Sequence, residues 1–378
     1  MTDARYSPLH DLHVDLGASF TDFAGWQMPV RYDSDLAEHH AVRERVGMFD
    51  ISHMAEISVT GADAGGFLDF AVAGKMSALA LGQAKYTLLL TDGGTVIDDL
   101  IIYRLGDEHW LVVANAGNRF AVLDALNERA AGFSATVVDQ SDETAMIAVQ
   151  GPKALAVLQS TIGLELAEAA SARPESTLSD LKYYWTLPAV FLGNPVLIAR
   201  TGYTGEDGFE LYIDASVAAQ LWVALAGAGA PHGIVPCGLA CRDTLRLEAG
   251  MPLYGHELTR DIRPAQAGLG KVVALSKEGD FVGRAASEVE LPADAPVLVA
   301  LVGEGKRAAR ADYEVFSGES RIGVVTSGAL SPTLGFPIAL AYVHPAHSGV
   351  GSVVDVDVRG TRIPFTVSQL PFYRRKKD

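Results

Sequence analysis

Short apolar runs rich in β-branched and aromatic residues fill the segment from residue 55 to residue 114. The runs AEISV, KYTLLL, TVIDDLIIYRL and HWLVVA have the composition that strands favour. The turn Asp92-Gly93-Gly94 joins two of them, which predicts a hairpin of residues 86–91 with residues 95–105. Apolar positions then recur at helical spacing and predict a helix from about residue 118 to residue 131.

The same mixture of strands and helices continues to about residue 278. Strands are predicted at 145–149, 196–199 and 210–213, and helices at 215–226 and 239–249. A further helix opens at Gly151-Pro152, because proline fits the first helical turn. Strands and helices mixed in this way indicate an α+β fold rather than a regular parallel α/β sheet.

The pattern changes in the last quarter of the chain. From residue 297 to residue 370 short apolar strands alternate with Gly, Pro and Ser turns, and no helical period is present. This pattern predicts a small all-β barrel or sandwich. Because 378 residues exceed what one hydrophobic core holds, we expect two or three domains.

Charge argues against nucleic acid as a partner. The chain has 30 Lys and Arg against 46 Asp and Glu, and its net charge of −16 repels polyanions. The exception is the basic tail, Arg374-Arg375-Lys376-Lys377. The tail is either plainly solvated or a salt-sensitive attractor for an acidic carrier protein or a polyglutamate ligand.

Apolar stretches are too short for a membrane segment, which needs about 20 residues. The first sixteen residues contain neither an apolar core nor an Arg-rich, acid-poor composition, so we expect a cytoplasmic protein. Only Cys237 and Cys241 are present, four positions apart. With no second Cys or His pair to complete a zinc set, they are interpreted as two small buried hydrophobes, and no metal site is predicted.

An acidic pair interrupts one apolar run. Asp98 and Asp99 lie in the strand VIDDLIIY, where neighbouring side chains point to opposite faces, so one carboxylate must face inward. A buried carboxylate is costly unless it is paired or hydrogen-bonded. Either the pair merely extends or caps the hairpin turn, or it lines a cavity together with Tyr86 on the partner strand.

Two further segments are candidates for chemistry. The stretch RTGYTGEDGFE, residues 200–210, has three glycines in seven positions, which lets the backbone approach a ligand closely or simply turn sharply. It fits neither phosphate-binding pattern. The helical run that follows Cys241 carries Arg242 and Arg246 one turn apart, and surface ion pairs are the ordinary explanation for them.

Several long segments together resemble one family. They are GWQMPVRY, EHHAVRERVGMFDISHM, GGTVIDDLIIY, AVQGPKAL, RTGYTGEDGFELY, DTLRLEAGMPLYGHEL, AGLGKVV and SPTLGFPIALAYV. They span nearly the whole chain in the expected order, which makes the resemblance more specific than any single motif. The chain resembles the folate-dependent T-protein family of the glycine cleavage system. Ala55 and Ala240-Cys241 depart from the family pattern without changing a ligand group.

The resemblance implies an α+β, three-domain cloverleaf around a central folate channel, with two α+β lobes and a C-terminal all-β barrel. Residues 1–54 plus 140–278 would form a split α+β lobe. Residues 55–139 would form an inserted α+β lobe that carries Asp99, and residues 279–378 the barrel.

The implied activity is that of an aminomethyltransferase. The family transfers the one-carbon unit of the aminomethyl-lipoyl arm of H-protein to tetrahydrofolate, giving 5,10-methylenetetrahydrofolate, ammonia and dihydrolipoyl H-protein. Tetrahydrofolate is then a co-substrate, with no metal and no flavin. The implied partners are lipoylated H-protein, bound transiently, and the glycine cleavage complex, with no nucleic acid and no membrane.

The resemblance also implies roles for single residues. Asp99 matches the carboxylate beside N10 of the folate, Glu210 matches the position that binds the pterin, and Arg242 matches a ligand-contacting position. For the other matching positions packing in the core is an alternative to lining the channel: Tyr86, Tyr103, Tyr203, Met54 and Asn115.

Two other functions stay open. A tetrahydrofolate-dependent demethylase of a small methylated substrate shares this fold and length, although GGTVIDDLIIY and GYTGEDGFELY favour the T-protein. A non-catalytic folate-binding protein is the second alternative, and its branch carries a Lys-Gly-Cys-Tyr type motif that this sequence lacks.

Overall fold

The computed structural model describes residues 4–172 and 176–375, without the side chains of residues 171 and 172. Within these ranges the α-helices are α1 (His10–Asp15), α2 (Asp35–Glu44), α3 (Ala64–Ala71), α4 (Arg119–Arg129), α5 (Ala154–Ser160), α6 (Ala218–Gly229), α7 (Leu239–Glu248) and α8 (Arg284–Glu288). Single 3-10 turns occur at Ala116–Asn118, Glu168–Ala172, Ala215–Val217, Ala230–His232, Gly270–Val272 and Pro345–His347.

The strands run from β1 near the N-terminus to β21 near the C-terminus. In chain order they are β1 (Arg5–Tyr6), β2 (Ser19–Phe23), β3 (Trp26–Arg31), β4 (Val46–Asp50), β5 (Ala55–Thr60), β6 (Ala84–Leu90), β7 (Val96–Arg104), β8 (His109–Ala114), β9 (Thr136–Asp139), β10 (Thr144–Gln150), β11 (Leu164–Leu166), β12 (Thr186–Phe191), β13 (Asn194–Ala199), β14 (Gly208–Asp214), β15 (Ile234–Pro236), β16 (Val297–Gly303), β17 (Glu314–Ser317), β18 (Ser320–Leu330), β19 (Pro337–Val343), β20 (Val353–Asp357) and β21 (Arg362–Ser368).

Local sequence patterns located most of these elements. The predicted hairpin is β6 and β7, and the predicted helix at 118–131 is α4. Strands β10, β13 and β14 and helix α7 also lie where the periodicity placed them. The helix predicted at 215–226 begins with a 3-10 turn and continues as α6, because Asp214 accepts the N–H of Ser216 and caps the turn.

Two compact units make up the chain. Unit 1 contains the described residues up to Leu68, together with Met76–Tyr86 and Leu100–Arg242. Unit 2 contains Asp69–Lys75, Thr87–Asp99 and the described residues from Asp243 onward. The domain boundaries predicted from the sequence stay a prediction.

A seven-stranded sheet in the order β11-β12-β13-β14-β10-β4-β15 forms the centre of unit 1. Its strands β12, β13, β14, β10 and β4 pair antiparallel, and β15 pairs parallel to β4. On one face of the sheet, apolar side chains such as Ile147 and Phe209 pack against helices α5 and α6. Trp222 of α6 is part of the same cluster. The opposite face is therefore available for polar groups, since side chains alternate along each strand.

A five-stranded sheet in the order β6-β7-β8-β5-β9 contains the acidic pair. Strand β7 lies between two neighbours, and both of its faces are largely buried. Asp98 is completely buried, whereas Asp99 is half-buried. The sequence required one of the two carboxylates to face inward without choosing between them, because alternation does not mark a solvent face on a strand that is covered on both sides. A separate sheet of β1, β3 and β2 lies at the N-terminal end.

Strands β16 to β21 close into a barrel in the order β16-β19-β18-β17-β20-β21. Its interior consists of apolar side chains, most of them valine and alanine, among them Val315, Val325, Ala341 and Phe365. The α+β fold class with a C-terminal β-barrel, predicted from the sequence, is confirmed. None of the helices in the described part of the chain combines the length and apolar character that a bilayer crossing requires.

Arg246 forms an ion pair within α7, to the half-exposed Asp243 at 2.7 Å, but Arg246 itself does not lie at the surface. Its side chain is 2% exposed and donates to Glu257, which is completely buried, at 2.9 Å. A second donation reaches the hydroxyl of Ser327 at 2.8 Å. The periodicity of α7 could not show this, because both partners come from later parts of unit 2. Arg246 is a buried structural residue whose charge is paired.

Candidate active site

Strand β14 carries Glu210 on the face of the seven-stranded sheet that is opposite the helices. Ala148 on β10 and Ala199 on β13 lie directly across from Glu210 on its two sides. Two alanines leave space that larger cross-strand partners would fill. The carboxyl group of Glu210 therefore lies in a depression of the sheet with little side-chain bulk beside it.

A small cleft, with an accessible volume of only about 10 Å³, opens over this depression. It combines a carboxylate, a guanidinium, an amide and aromatic rings within one small space, the composition expected of a site that orients a flat polar ligand. Its lining residues are Phe49, Ile51, Ala148, Gln150, Tyr203, Thr204, Glu210 and Arg242.

Two glycines of the segment 200–210 make room for Gln150. A Cβ at Gly202 or at Gly208 would lie within 2.5 Å of the Gln150 side chain. The amide nitrogen of Gln150 donates to the carbonyl of Thr201 at 3.1 Å, and its oxygen accepts the hydroxyl of Thr204 at 2.9 Å. Gln150 thus holds the loop from beneath, and the loop carries Tyr203.

Two ion pairs fasten the same loop from its other side. Arg43 on α2 donates to the Glu206 carboxylate at 2.9 Å, and both groups are nearly inaccessible to solvent. Arg200 forms a two-point bond to Asp207, with distances of 2.9 and 2.6 Å. Bidentate pairs of this kind fix geometry as well as charge. The two pairs therefore tie the loop to α2 and link two of its own residues.

Burial removes water from the Glu210 carboxyl group, and neighbouring groups offset part of the cost of its negative charge. Burial raises the pKa of Glu210, while a hydrogen bond from the Thr201 hydroxyl and the positive charge of Arg242 act in the opposite direction. The guanidinium of Arg242 lies over the ring of Tyr203, 4.7 Å from its centroid. A ligand that offers N–H donors to the carboxylate would replace the water that Glu210 has lost.

The other predicted lining residues differ in exposure. Tyr86, Met54 and Asn115 are half-buried, as a residue that meets a ligand can be. Tyr103 is completely buried, and its hydroxyl contacts the hydroxyls of Thr201 and Tyr212. Packing and hydrogen bonding inside unit 1 therefore account for Tyr103.

His53 is a buried residue near Arg242 that sequence reasoning missed. Burial and the charge of Arg242 lower the pKa of His53 to about 3, although Asp50 opposes them. Both ring nitrogens lack a hydrogen-bond partner among residues 4–172 and 176–375. The imidazole is therefore neutral, and its edge contacts the ring of Phe23 at a centroid distance of 5.3 Å.

Cys237 and Cys241 are buried as expected, and the structure adds Glu38 beside them. The three potential ligand atoms lie within 4.8 Å of one another, and no ion is present. The carboxylate of Glu38 already accepts the N–H groups of Tyr32 at 2.8 Å and Gly238 at 2.9 Å. The cluster is explained as a clamp at the start of α7, and the absence of a metal stays a prediction.

Comparisons with known proteins identify the family of the chain. Residues 9–277 match the model of the GCVT N-terminal domain, and residues 297–374 match the glycine cleavage T-protein C-terminal barrel domain. An aminomethyltransferase of Cutibacterium acnes is 56% identical over 375 residues, 99% of this chain and 100% of that protein. One from Streptomyces avermitilis is 54% identical, covering 99% and 98%.

A solved structure is similar over the same length. The glycine cleavage system aminomethyltransferase T of Bartonella henselae superposes with a TM-score of 0.88 at 35% identity, covering 99% of each chain. Two family models, full-length relatives and this structure agree. The chain therefore belongs to the T-protein family of aminomethyltransferases.

Proposed function

We propose that this chain is the aminomethyltransferase of a glycine cleavage system, with tetrahydrofolate as co-substrate. The observation that carries the proposal is the buried Glu210 carboxyl at the floor of a cleft, beside Arg242. Relatives above 50% identity over the whole chain are named aminomethyltransferase, which supports the same reaction.

The reaction is a transfer of one carbon without net oxidation or reduction. The methylene carbon loses its bonds to the amine nitrogen and to the lipoyl sulfur, and it gains bonds to N5 and N10 of the folate. The two folate N–H protons end on the departing ammonia and on the released thiol. The protein must therefore bind the folate, expose its two nitrogens and manage these protons.

Glu210 is assigned to the pterin. The aminopyrimidinone edge offers two adjacent N–H donors, which a carboxylate accepts well as a pair. Because the carboxyl is only 7% exposed, few waters compete for it. Arg242 offsets part of the carboxylate charge, and it is assigned a polar contact with the folate, which its planar, permanently charged guanidinium suits.

Asp99 is assigned to the reacting nitrogen. It is half-buried on β7, so its carboxylate is partly shielded and still accessible. A carboxylate beside N10 would orient that nitrogen and stabilise the positive charge that develops as the carbon is transferred. Tyr86, Tyr203, Met54 and Asn115 are assigned to the lining around the folate, consistent with their partial exposure.

Lipoylated H-protein is the proposed donor, bound only for the transfer. Arg374 and Arg375 of the basic tail are described, whereas Lys376 and Lys377 lie outside the described residues. A basic segment would attract an acidic carrier, and salt would weaken the attraction. The cytoplasmic location and the absence of nucleic acid, membrane, metal and flavin stay predictions.

The decisive assay supplies the purified chain with tetrahydrofolate and aminomethyl-loaded H-protein. We expect formation of 5,10-methylenetetrahydrofolate and release of ammonia in equal amounts. Unloaded H-protein is the matched control and should give neither product. Absence of both products above the background rate would refute the proposal, and would leave the non-catalytic folate-binding protein if tetrahydrofolate still bound.

The same purified chain also tests the alternative function, a tetrahydrofolate-dependent demethylase. A small methylated amine or sulfonium compound replaces loaded H-protein, and methylated folate is measured. Turnover with that donor and none with H-protein would assign the chain to the demethylases instead.

A further inference from the structure

Three hydroxyl groups and one carboxyl group of unit 1 form a continuous hydrogen-bond chain behind the cleft. The Tyr212 hydroxyl donates to the Tyr103 hydroxyl at 3.0 Å, and Tyr103 contacts the Thr201 hydroxyl at 3.3 Å. Thr201 donates to the carboxylate of Glu210. All four side chains are buried, with exposures of 5% for Tyr212, 0% for Tyr103, 1% for Thr201 and 7% for Glu210.

Counting the protons gives the hydrogen-bond chain a single direction of donation. An ionised carboxylate only accepts, so the one proton of Thr201 points to Glu210. The Thr201 oxygen then accepts the proton of Tyr103, whose oxygen accepts the proton of Tyr212. Every hydroxyl proton of this hydrogen-bond chain is used, and the Tyr103 hydroxyl has no proton left to give to a ligand.

We propose that Thr201 is a positioning residue for Glu210, and that Tyr103 and Tyr212 orient Thr201 in turn. The chain fixes the carboxylate plane so that it faces the cleft, and it supplies one of the donors that keep Glu210 ionised away from water. This inference rests on the proposed function, in which Glu210 receives the pterin.

The electrostatics agree with this order. Burial raises the pKa of Tyr103 and of Tyr212, so both phenols stay protonated and keep donating. The Thr201 hydrogen bond is the largest of the influences that oppose the burial-induced rise in the pKa of Glu210. Loss of the hydroxyl would therefore favour the protonated carboxyl, which accepts less well from the pterin.

The test replaces Thr201 by Val, which keeps the shape and removes the hydroxyl. Binding of 5-formyltetrahydrofolate should weaken roughly 10-fold, the scale of one hydrogen bond to a charged group. The acidic limb of the pH profile of kcat/KM for tetrahydrofolate should move to higher pH, while Thr201→Ser should restore both measurements. Thr161→Val is the matched control, because Thr161 is also buried and its hydroxyl donates to the Val157 carbonyl of α5.

The outcomes distinguish failure of this inference from failure of the proposed function. If Glu210→Gln weakens binding and Thr201→Val changes neither the affinity nor the acidic limb, Thr201 is a packing residue and the inference is overturned. If Glu210→Gln leaves binding unchanged, the role of Glu210 fails first. In the Glu210→Gln background Thr201→Val should add little, since the two act as a unit. Should Thr201→Val not fold, Tyr103→Phe is the second variant, with an expected loss of roughly 3-fold and the same shift of the acidic limb.

Discussion

Glu210 on β14 and Glu56 on β5 are two buried glutamates with opposite surroundings. Burial raises the pKa of both carboxyl groups. Glu210 has a hydrogen bond from Thr201, the charge of Arg242 and an open cleft before it. Neither carboxyl oxygen of Glu56 has a hydrogen-bond partner in the described part of the chain.

Neighbouring strands explain the difference. Two alanines flank Glu210, whereas Glu56 lies opposite Val113 on β8. The charge of Arg119 favours ionisation of Glu56, but Arg119 already bonds the carboxylates of Asp139 and Asp142. Burial alone therefore makes a neutral acid, and a binding site also needs space, donors and an opposite charge.

The largest expected effect concerns Asp99, a third carboxylate to compare with Glu210 and Glu56. Asp99→Asn should lower turnover by about 100-fold or more, the scale of losing a positioned acid–base group. Folate affinity should change little, because Asp99 is assigned to the reacting nitrogen and not to the pterin. Steady-state rates with loaded H-protein and equilibrium binding of folate measure the two quantities. Asp92→Asn, in the exposed turn of the same hairpin, is the control; near-normal turnover of Asp99→Asn would remove Asp99 from the mechanism.

Exchange of the two glutamates for glutamine tests the comparison directly. Glu210→Gln should weaken tetrahydrofolate binding by roughly 10- to 100-fold, because an amide cannot accept two N–H donors with a full charge. Glu56→Gln should leave affinity and turnover unchanged. Titration of both variants with 5-formyltetrahydrofolate is the measurement, and equal losses in the two would break the contrast.

Glu56 should instead control stability through pH. Its pKa is raised in the folded protein, so the folded state holds a proton that the unfolded state has released. Stability therefore falls as pH rises above the ordinary glutamate pKa, and below that range there is no penalty. Glu56→Gln should raise the free energy of unfolding at pH 7, because a buried amide does not have to take up a proton on folding.

Denaturant unfolding of wild type and Glu56→Gln between pH 4 and pH 8 would show the two curves separating as pH rises. Glu165→Gln is the exposed control on β11 and should follow wild type at every pH. Parallel curves for Glu56→Gln and wild type would mean that Glu56 is not protonated in the folded state.

The smallest effect concerns the basic tail, residues 374–377. Reversal of the four basic residues 374–377 to glutamate should raise the KM for H-protein a few-fold at low salt and hardly at all at high salt. Folate binding should be untouched, in contrast to the buried carboxylates. A KM independent of both the reversal and the salt concentration would return the tail to simple solvation.

Local pattern was sufficient to place several strands along the chain. The alternation and the turn at 92–94 predicted β6 and β7, and the apolar run at 297–370 predicted the barrel strands. The resemblance to the T-protein family also named Glu210 and Arg242, which the structure brings to one cleft. Thr201 and Gln150 carried no such signal, since a threonine and a glutamine are ordinary residues until their partners are known.

Sequence therefore determined the class of each segment, because helix and strand periods depend on residues close together along the chain. It also determined that acidic residues interrupt apolar strands. Which acid is compensated depended on the tertiary structure: Glu210 meets Thr201 and Arg242, and Glu56 meets no donor among the described residues. Solvation and hydrogen bonding depend on neighbours in space, and β-sheet pairing brings together residues that the order of the chain keeps far apart.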